Sequence, residues 1–105
     1  MLNHVAIYSD DREPNWRRIY PAVCGGRGGD TITFTNCMND GIELHFKNWP
    51  FQETKEDPPT INPKDARTFT LAGGLEPYAV FPFTAKIAKT NDEAEGSRPI
   101  LIIYP

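Results

Sequence analysis

A chain of 105 residues holds one domain, taken here as residues 1–105, and its ten prolines and eight glycines, spread along its length, exclude long helices. The formal charge of −3, with acids and bases intermingled, leaves no basic stripe for a phosphate backbone and excludes nucleic acid as a partner. The N-terminus has neither a basic start nor an apolar run long enough for a signal peptide or membrane span, so no membrane association and a cytoplasmic location are expected, unless an export signal has been trimmed.

The first predicted strand is residues 4–8, with Val5 and Ile7 on one face. Residues 10–18 are polar and read as turn-rich, with Trp16 as a lid on the core. Residues 19–24 form a second strand, in which Pro21 implies an edge or a bulge. The run Gly25-Gly26-Arg27-Gly28-Gly29 invites comparison with a phosphate loop, but neither a helix pattern nor a Lys-Ser/Thr pair follows it, so it reads as a hairpin turn. Cys24 lies beside that turn and Cys37 about 20 Å along the next strand at about 3.3 Å per residue, too far for a disulfide. Both thiols are expected to be free, as a reducing compartment keeps them.

Residues 31–36 alternate Ile32 and Phe34 against threonines, the pattern of a half-buried antiparallel strand. Residues 41–48 repeat it, with Ile42, Leu44 and Phe46 opposed to Glu43, His45 and Lys47. A long connection rich in proline and acid, residues 49–64, follows, broken by Asp57-Pro58-Pro59 and Asn62-Pro63. Residues 67–71 and 78–87 are further strands. Residues 99–104 are almost wholly apolar, which suits a strand covered on both faces or one that pairs with another chain. About seven or eight short strands separated by turn signals predict an all-β, two-sheet Greek-key β-sandwich.

The order Tyr20-Pro21, glycine turn, Gly29-Asp30-Thr31-Ile32-Thr33-Phe34-Thr35-Asn36, Ile42-Glu43-Leu44-His45-Phe46, then residues 61–71 and Tyr78-Ala79-Val80-Phe81, resembles the cupredoxin (plastocyanin-like) family. The resemblance covers most of the chain after the first strand and implies a cupredoxin-like fold. In copper-binding members a histidine follows the Asn-terminated strand, and a cysteine, a second histidine and usually a methionine follow the tyrosine-containing strand. Here the first position falls near Ile42 and the cysteine near Pro82, with the later ligands around Ala85 and Thr90, a segment without Cys, His or Met. A blue-copper site needs a thiolate and two imidazoles. The resemblance therefore implies the scaffold without electron transfer, and a charged loop, residues 89–98, in place of the ligand loop. No cofactor is expected.

Other chemistries are thinly represented. Cys37 and Met38 could begin a soft Cu(I) site, but two neighbouring soft groups without a third do not fix a geometry, and a small apolar pair capping the sandwich is the plainer reading. His4 and His45 read as surface groups. The carboxylates Asp10-Asp11-Glu13 and Glu53-Glu56-Asp57 fall in polar, turn-like sequence where solvated charge is the default. No nucleophile-base spacing stands out, so the chain is not expected to be an enzyme.

Binding has the better case. Trp49-Pro50-Phe51 and Phe81-Pro82-Phe83 hold large rings on stiff backbone, with Phe81 and Phe83 equally suited to the core. The expected function is a copper-free protein-interaction module, self-associating through the last strand or engaging another protein through its loops. The candidate contact residues are Trp49, Phe51, Ile100, Ile102 and Tyr104. The alternatives are a carbohydrate-binding module stacking sugars on Trp49 and Phe51, and the soft-metal protein.

Overall fold

The computed structural model describes residues 3–10, 13–89 and 99–105, and for residues 9, 10 and 13–18 the backbone alone. Its nine strands are β1 (His4–Asp10), β2 (Glu13–Tyr20), β3 (Val23–Gly26), β4 (Thr31–Asn36), β5 (Ile42–Phe46), β6 (Thr60–Ile61), β7 (Ala66–Thr70), β8 (Val80–Ile87) and β9 (Ile100–Ile103). They form a four-stranded sheet, β2-β1-β4-β7, and a five-stranded sheet, β3-β9-β8-β5-β6. Both sheets are mixed, because β1 runs parallel to β4 and β3 parallel to β9. Among the described residues no helix is long and apolar enough to cross a membrane.

Two-residue periodicity places the core. In β4 the buried residues are Ile32, Phe34 and Asn36, and in β5 they are Ile42, Leu44 and Phe46. Pleated strands send alternate side chains to opposite faces, so these two strands bring their apolar rows together from opposite sheets. Val5 and Ile7 of β1 extend the first row; Phe83, Ala85 and Ile87 of β8 and Leu101 and Ile103 of β9 extend the second. Phe34 stands at the centre, edge-on to Phe46, Phe51, Phe69 and Phe83 at centroid separations of 5.8–6.3 Å. Edge-to-face contacts of this kind add about 0.5–1.5 kcal/mol each beyond the area they bury.

The Gly-Asp opening of β4 has a local cause. Gly29 adopts φ +90°, a conformation that costs glycine nothing, and its N–H donates to the Leu71 carbonyl. Asp30 closes the turn by accepting the Arg27 N–H on its carboxylate, 2.9 Å away. At the other end of β4, fully buried Asn36 donates to the carbonyls of Asp40, Ile61 and Asn62 and accepts the Met38 N–H.

Three sequence expectations need correction. Residues 13–18, read as turn-rich, belong to β2, which pairs antiparallel with β1 at the sheet edge. An edge strand tolerates both charge and Pro14, so polar composition does not exclude pairing there. Residues 19–24 are not one strand, because the chain leaves the first sheet at Tyr20, passes a cis Tyr20–Pro21 bond and joins the second sheet at Val23. The glycine run is therefore a crossing between sheets and not a hairpin, and Gly25 and Gly26 lie within β3.

Candidate functional site

Two of the positions where the resemblance puts copper ligands, Ile42 and Ala85, lie at the end of the sandwich built by the loop after β4, the start of β5 and the end of β8. Ile42 begins β5, is buried, and lies opposite Ile87. Ala85, also buried, lies opposite Leu44. Pro82 stands opposite Ile100, towards the other end of β8, with four residues of extended strand between it and Ile87. The family's histidine and cysteine positions, which the resemblance puts near Ile42 and Pro82, are thus not brought together by these two residues. Cys37 is exposed whereas Met38 is buried, so the soft pair does not converge on one point. The Lys64 ammonium caps the loop by donating to the Cys37 carbonyl at 2.7 Å. No group of three or more His, Cys, Asp or Glu side chains able to hold a metal occurs among the described residues. Aliphatic groups supply no donor atoms, so the described residues at this end do not fit a blue-copper ion. Thr90 and residues 91–98 of the expected charged loop lie outside the described residues, as do the side chains of Asp10, Asp11, Glu13 and Trp16.

The titratable groups with shifted pKa values, Cys24, Glu53 and Glu56, are engaged structurally. Cys24 is buried, its thiol lies 3.7 Å from the Ile100 carbonyl, and burial pushes its pKa up to about 12. A thiol so protonated is a poor nucleophile. Partial burial raises the Glu53 carboxyl, but hydrogen bonds from the Thr70 backbone, its own backbone N–H and the Thr70 hydroxyl outweigh this and hold it below the ordinary range. The hydrogen bond from Arg67 lowers Glu56 likewise. These two carboxylates clip the segment after Trp49 onto β7. His45 lies 3.2 Å from Glu43 on the outer face of β5.

The aromatic turn at Trp49-Pro50-Phe51 divides between core and rim. Phe51 is only 4% exposed and packs against Phe34, Phe46 and Phe69, which corrects its assignment as a contact residue. It forms a bridge with Leu71, and this pairing turns its ring inward instead of presenting it on the proline-stiffened loop. Trp49 is half-buried against Phe46 and Phe69, with its Nε1–H donated to the Glu53 carbonyl at 2.7 Å. Phe83 fills the core and Phe81 packs on its margin.

The last strand gives a different surface from the one its composition suggests. β9 lies between β3 and β8, so both its edges are hydrogen-bonded within the chain and it has none left to pair with another chain. Its apolar continuity has another cause. Leu101 and Ile103 point into the core, while Ile100 and Ile102 are half-buried on the outer face.

Register shows what surrounds them. Val23, Ile100 and Pro82 form one row across β3, β9 and β8; Gly25, Ile102 and Val80 form the next. Paired residues project to the same side of a sheet, so the rows build one apolar patch. Val80 is 49% exposed and Val23 42%. Tyr104 continues the outward side of β9, its ring lying over Gly25, where an added Cβ would sit 3.0 Å from the ring and 2.1 Å from the Ile102 carbonyl oxygen. Beyond the patch the same face turns polar, with His45 opposite Thr84 and Glu43 opposite Lys86. Sequence reading finds Ile100, Ile102 and Tyr104 but misses Val23, Val80 and Pro82, which join them only through the strand order.

No protein-family model and no curated protein matches the sequence. Solved structures do resemble the fold. A purple cupredoxin from Nitrosopumilus maritimus is 12% identical at a TM-score of 0.60, over 95% of this chain and 97% of that one. A point mutant of amicyanin in its Cu(I) form is 15% identical at 0.56, over 97% and 81%. A copper-containing nitrite reductase from Thermus scotoductus is 16% identical at 0.53, over all of this chain and 27% of that one. At such identities the likeness is one of architecture, and the chain is a cupredoxin-like β-sandwich.

Proposed function

We propose that this protein is a non-catalytic interaction module that works without copper and docks a protein partner on the outer face of β3, β9 and β8. One observation carries the reading: Val23, Ile100, Ile102, Val80, Pro82 and Tyr104 form a contiguous apolar surface on a sheet face that is otherwise polar. Single exposed apolar residues are ordinary, but a contiguous patch rimmed by polar groups marks an interaction surface. The aliphatic filling at Ile42, Ala85 and Ile87 supports function without a redox metal. The free thiols, Cys24 buried and Cys37 exposed, suit a reducing compartment such as the cytoplasm.

The test is affinity capture from native lysate, comparing wild type with Val80→Lys and with Thr31→Lys, a control on the other sheet. A lysine placed on the patch must desolvate its charge to bind. A partner retained by wild type and Thr31→Lys but lost by Val80→Lys supports the reading, and equal capture by all three refutes it.

A further inference from the structure

β7 and β6 end their sheets on the same side of the sandwich, where Arg67 of β7 donates to the Thr60 carbonyl of β6 at 3.2 Å. The chain passes over this side in residues 52–58. We propose that these residues are a latched strap, which opens as a unit about Phe51 and Pro59 and bares the edge of β7 while both sheets stay folded.

The two ends of the strap are fixed. Phe51 is packed among the rings of Phe34, Phe46 and Phe69, and Pro59 is buried, its carbonyl accepting the Leu44 N–H at 2.9 Å. Between them Gln52, Thr54, Lys55, Glu56 and Asp57 are exposed, Glu53 and Pro58 are half-buried, and none belongs to the hydrophobic core. Local opening is easiest where few apolar contacts are buried and the hydrogen bonds lie near water. A segment of this kind, strung between two buried anchors, therefore separates from the body at a lower cost than the strands beneath it.

The latch is a ladder ended by a side chain. Phe51 and Leu71 form a bridge flanked by two bonds, Ala72 N–H to the Pro50 carbonyl at 2.9 Å and Gln52 N–H to the Thr70 carbonyl at 2.8 Å. In a continuing antiparallel ladder the Thr70 N–H would return to the Gln52 carbonyl. It donates instead to Glu53 Oε1 at 2.8 Å, while the Trp49 indole holds the same residue by donating to its carbonyl at 2.7 Å. Arg67, stacked over Phe69, makes a second hold by pairing with Glu56. The Ala66 N–H, four residues back along β7, is taken by the Asp65 carboxylate at 2.8 Å. Unpaired groups on an edge strand invite pairing with another strand, and carboxylates occupy two of the N–H groups on this edge. Release of the strap frees both backbone groups of Thr70, so the strap works as a guard on the edge of the first sheet.

Native-state hydrogen exchange of the full chain, read amide by amide by NMR across low urea concentrations, tests this. The Gln52 and Thr70 amides should share a protection factor at least about 100-fold below that of Phe69, which pairs with Ile32 of β4. Theirs should be insensitive to urea while that of Phe69 falls. Glu53→Ala should lower the Gln52 protection factor at least about 10-fold and leave Phe69 within about 3-fold of wild type. Gln52 is the informative reporter, because the substitution leaves its own bond to the Thr70 carbonyl in place. Gln52 and Thr70 amides as protected as Phe69, with the same urea dependence, would mean that the strap opens only on global unfolding and would overturn the proposal. Wild-type amides without protection would overturn the latch, as would a Gln52 amide indifferent to Glu53→Ala. Should that variant fail to fold, the wild-type comparison of Gln52 and Thr70 with Phe69 decides the matter by itself.

Discussion

Replacing Asn36 by alanine should be among the most damaging single substitutions in this protein. The side chain is fully buried at the end of β4, where it donates to three carbonyls, those of Asp40 at 2.8 Å, Ile61 at 3.1 Å and Asn62 at 3.2 Å, and accepts the Met38 N–H at 2.9 Å. Alanine removes all four contacts at once. The Asn62 carbonyl keeps the Asp65 N–H as a partner and the Ile61 carbonyl keeps its place in the β5–β6 ladder, so the cost falls on the Met38 N–H and the Asp40 carbonyl. A buried polar group that loses its partner costs about 1–3 kcal/mol. Partial relaxation of the loop brings the sum to about 3–5 kcal/mol, a large part of the roughly 5–15 kcal/mol stability usual for a domain. Urea denaturation at pH 7, followed by tryptophan fluorescence and circular dichroism, measures it. With a slope of about 1–2 kcal/mol per molar urea, the midpoint should fall by about 1.5–5 M at constant slope. Thr33→Val is the contrast, since it removes one exposed hydroxyl–hydroxyl bond to Thr68 and should cost less than about 1 kcal/mol. A loss below about 1 kcal/mol for Asn36→Ala would refute the view that this residue pins the loop.

Three other outcomes are expected. Phe51→Ala should cost about 3–5 kcal/mol in the same assay, because the ring is packed among Phe34, Phe46 and Phe69; near-wild-type stability would return Phe51 to the surface. A thiol reagent at about pH 8 should titrate Cys37 rapidly and reach Cys24 only in denaturant, given burial and a Cys24 pKa of about 12; two fast thiols in the native protein would contradict this. Glu53 and Glu56 have folded pKa values below the ordinary carboxyl value of 4.5, so their contribution to stability is fully present above about 4.5 and is lost as the pH falls through the folded values. Urea midpoints should thus be insensitive to these groups between about pH 5 and 8 and decline below about 4.5, less steeply in Glu53→Gln; a decline beginning near about pH 6 would exclude them as its cause.

Sequence reading reaches the scaffold further than the surface. The alternation in β4 and β5 is legible because each strand has one buried face, and the Gly29-Asp30 and Asn36 signals have local roles as a turn and a loop pin. β2 is not, because an edge strand held by its neighbour needs no apolar alternation of its own. Phe51 misleads because the proline beside it signals rigidity without saying which way the ring points. The apolar run of β9 reflects a core row and a patch row on opposite faces of a central strand. Val23, Val80 and Pro82 join that patch through pairings distant in sequence, which no local pattern encodes.

Copper content decides most directly whether this sandwich works without an electron-transfer metal. The full chain should be purified under reducing conditions, incubated with copper in each oxidation state, desalted, and assayed for bound metal and visible absorption. With aliphatic side chains at Ile42, Ala85 and Ile87, the expected result is substoichiometric copper, no intense charge-transfer band and an unchanged urea midpoint. One tightly held copper per chain, with such a band and a raised midpoint, would contradict it.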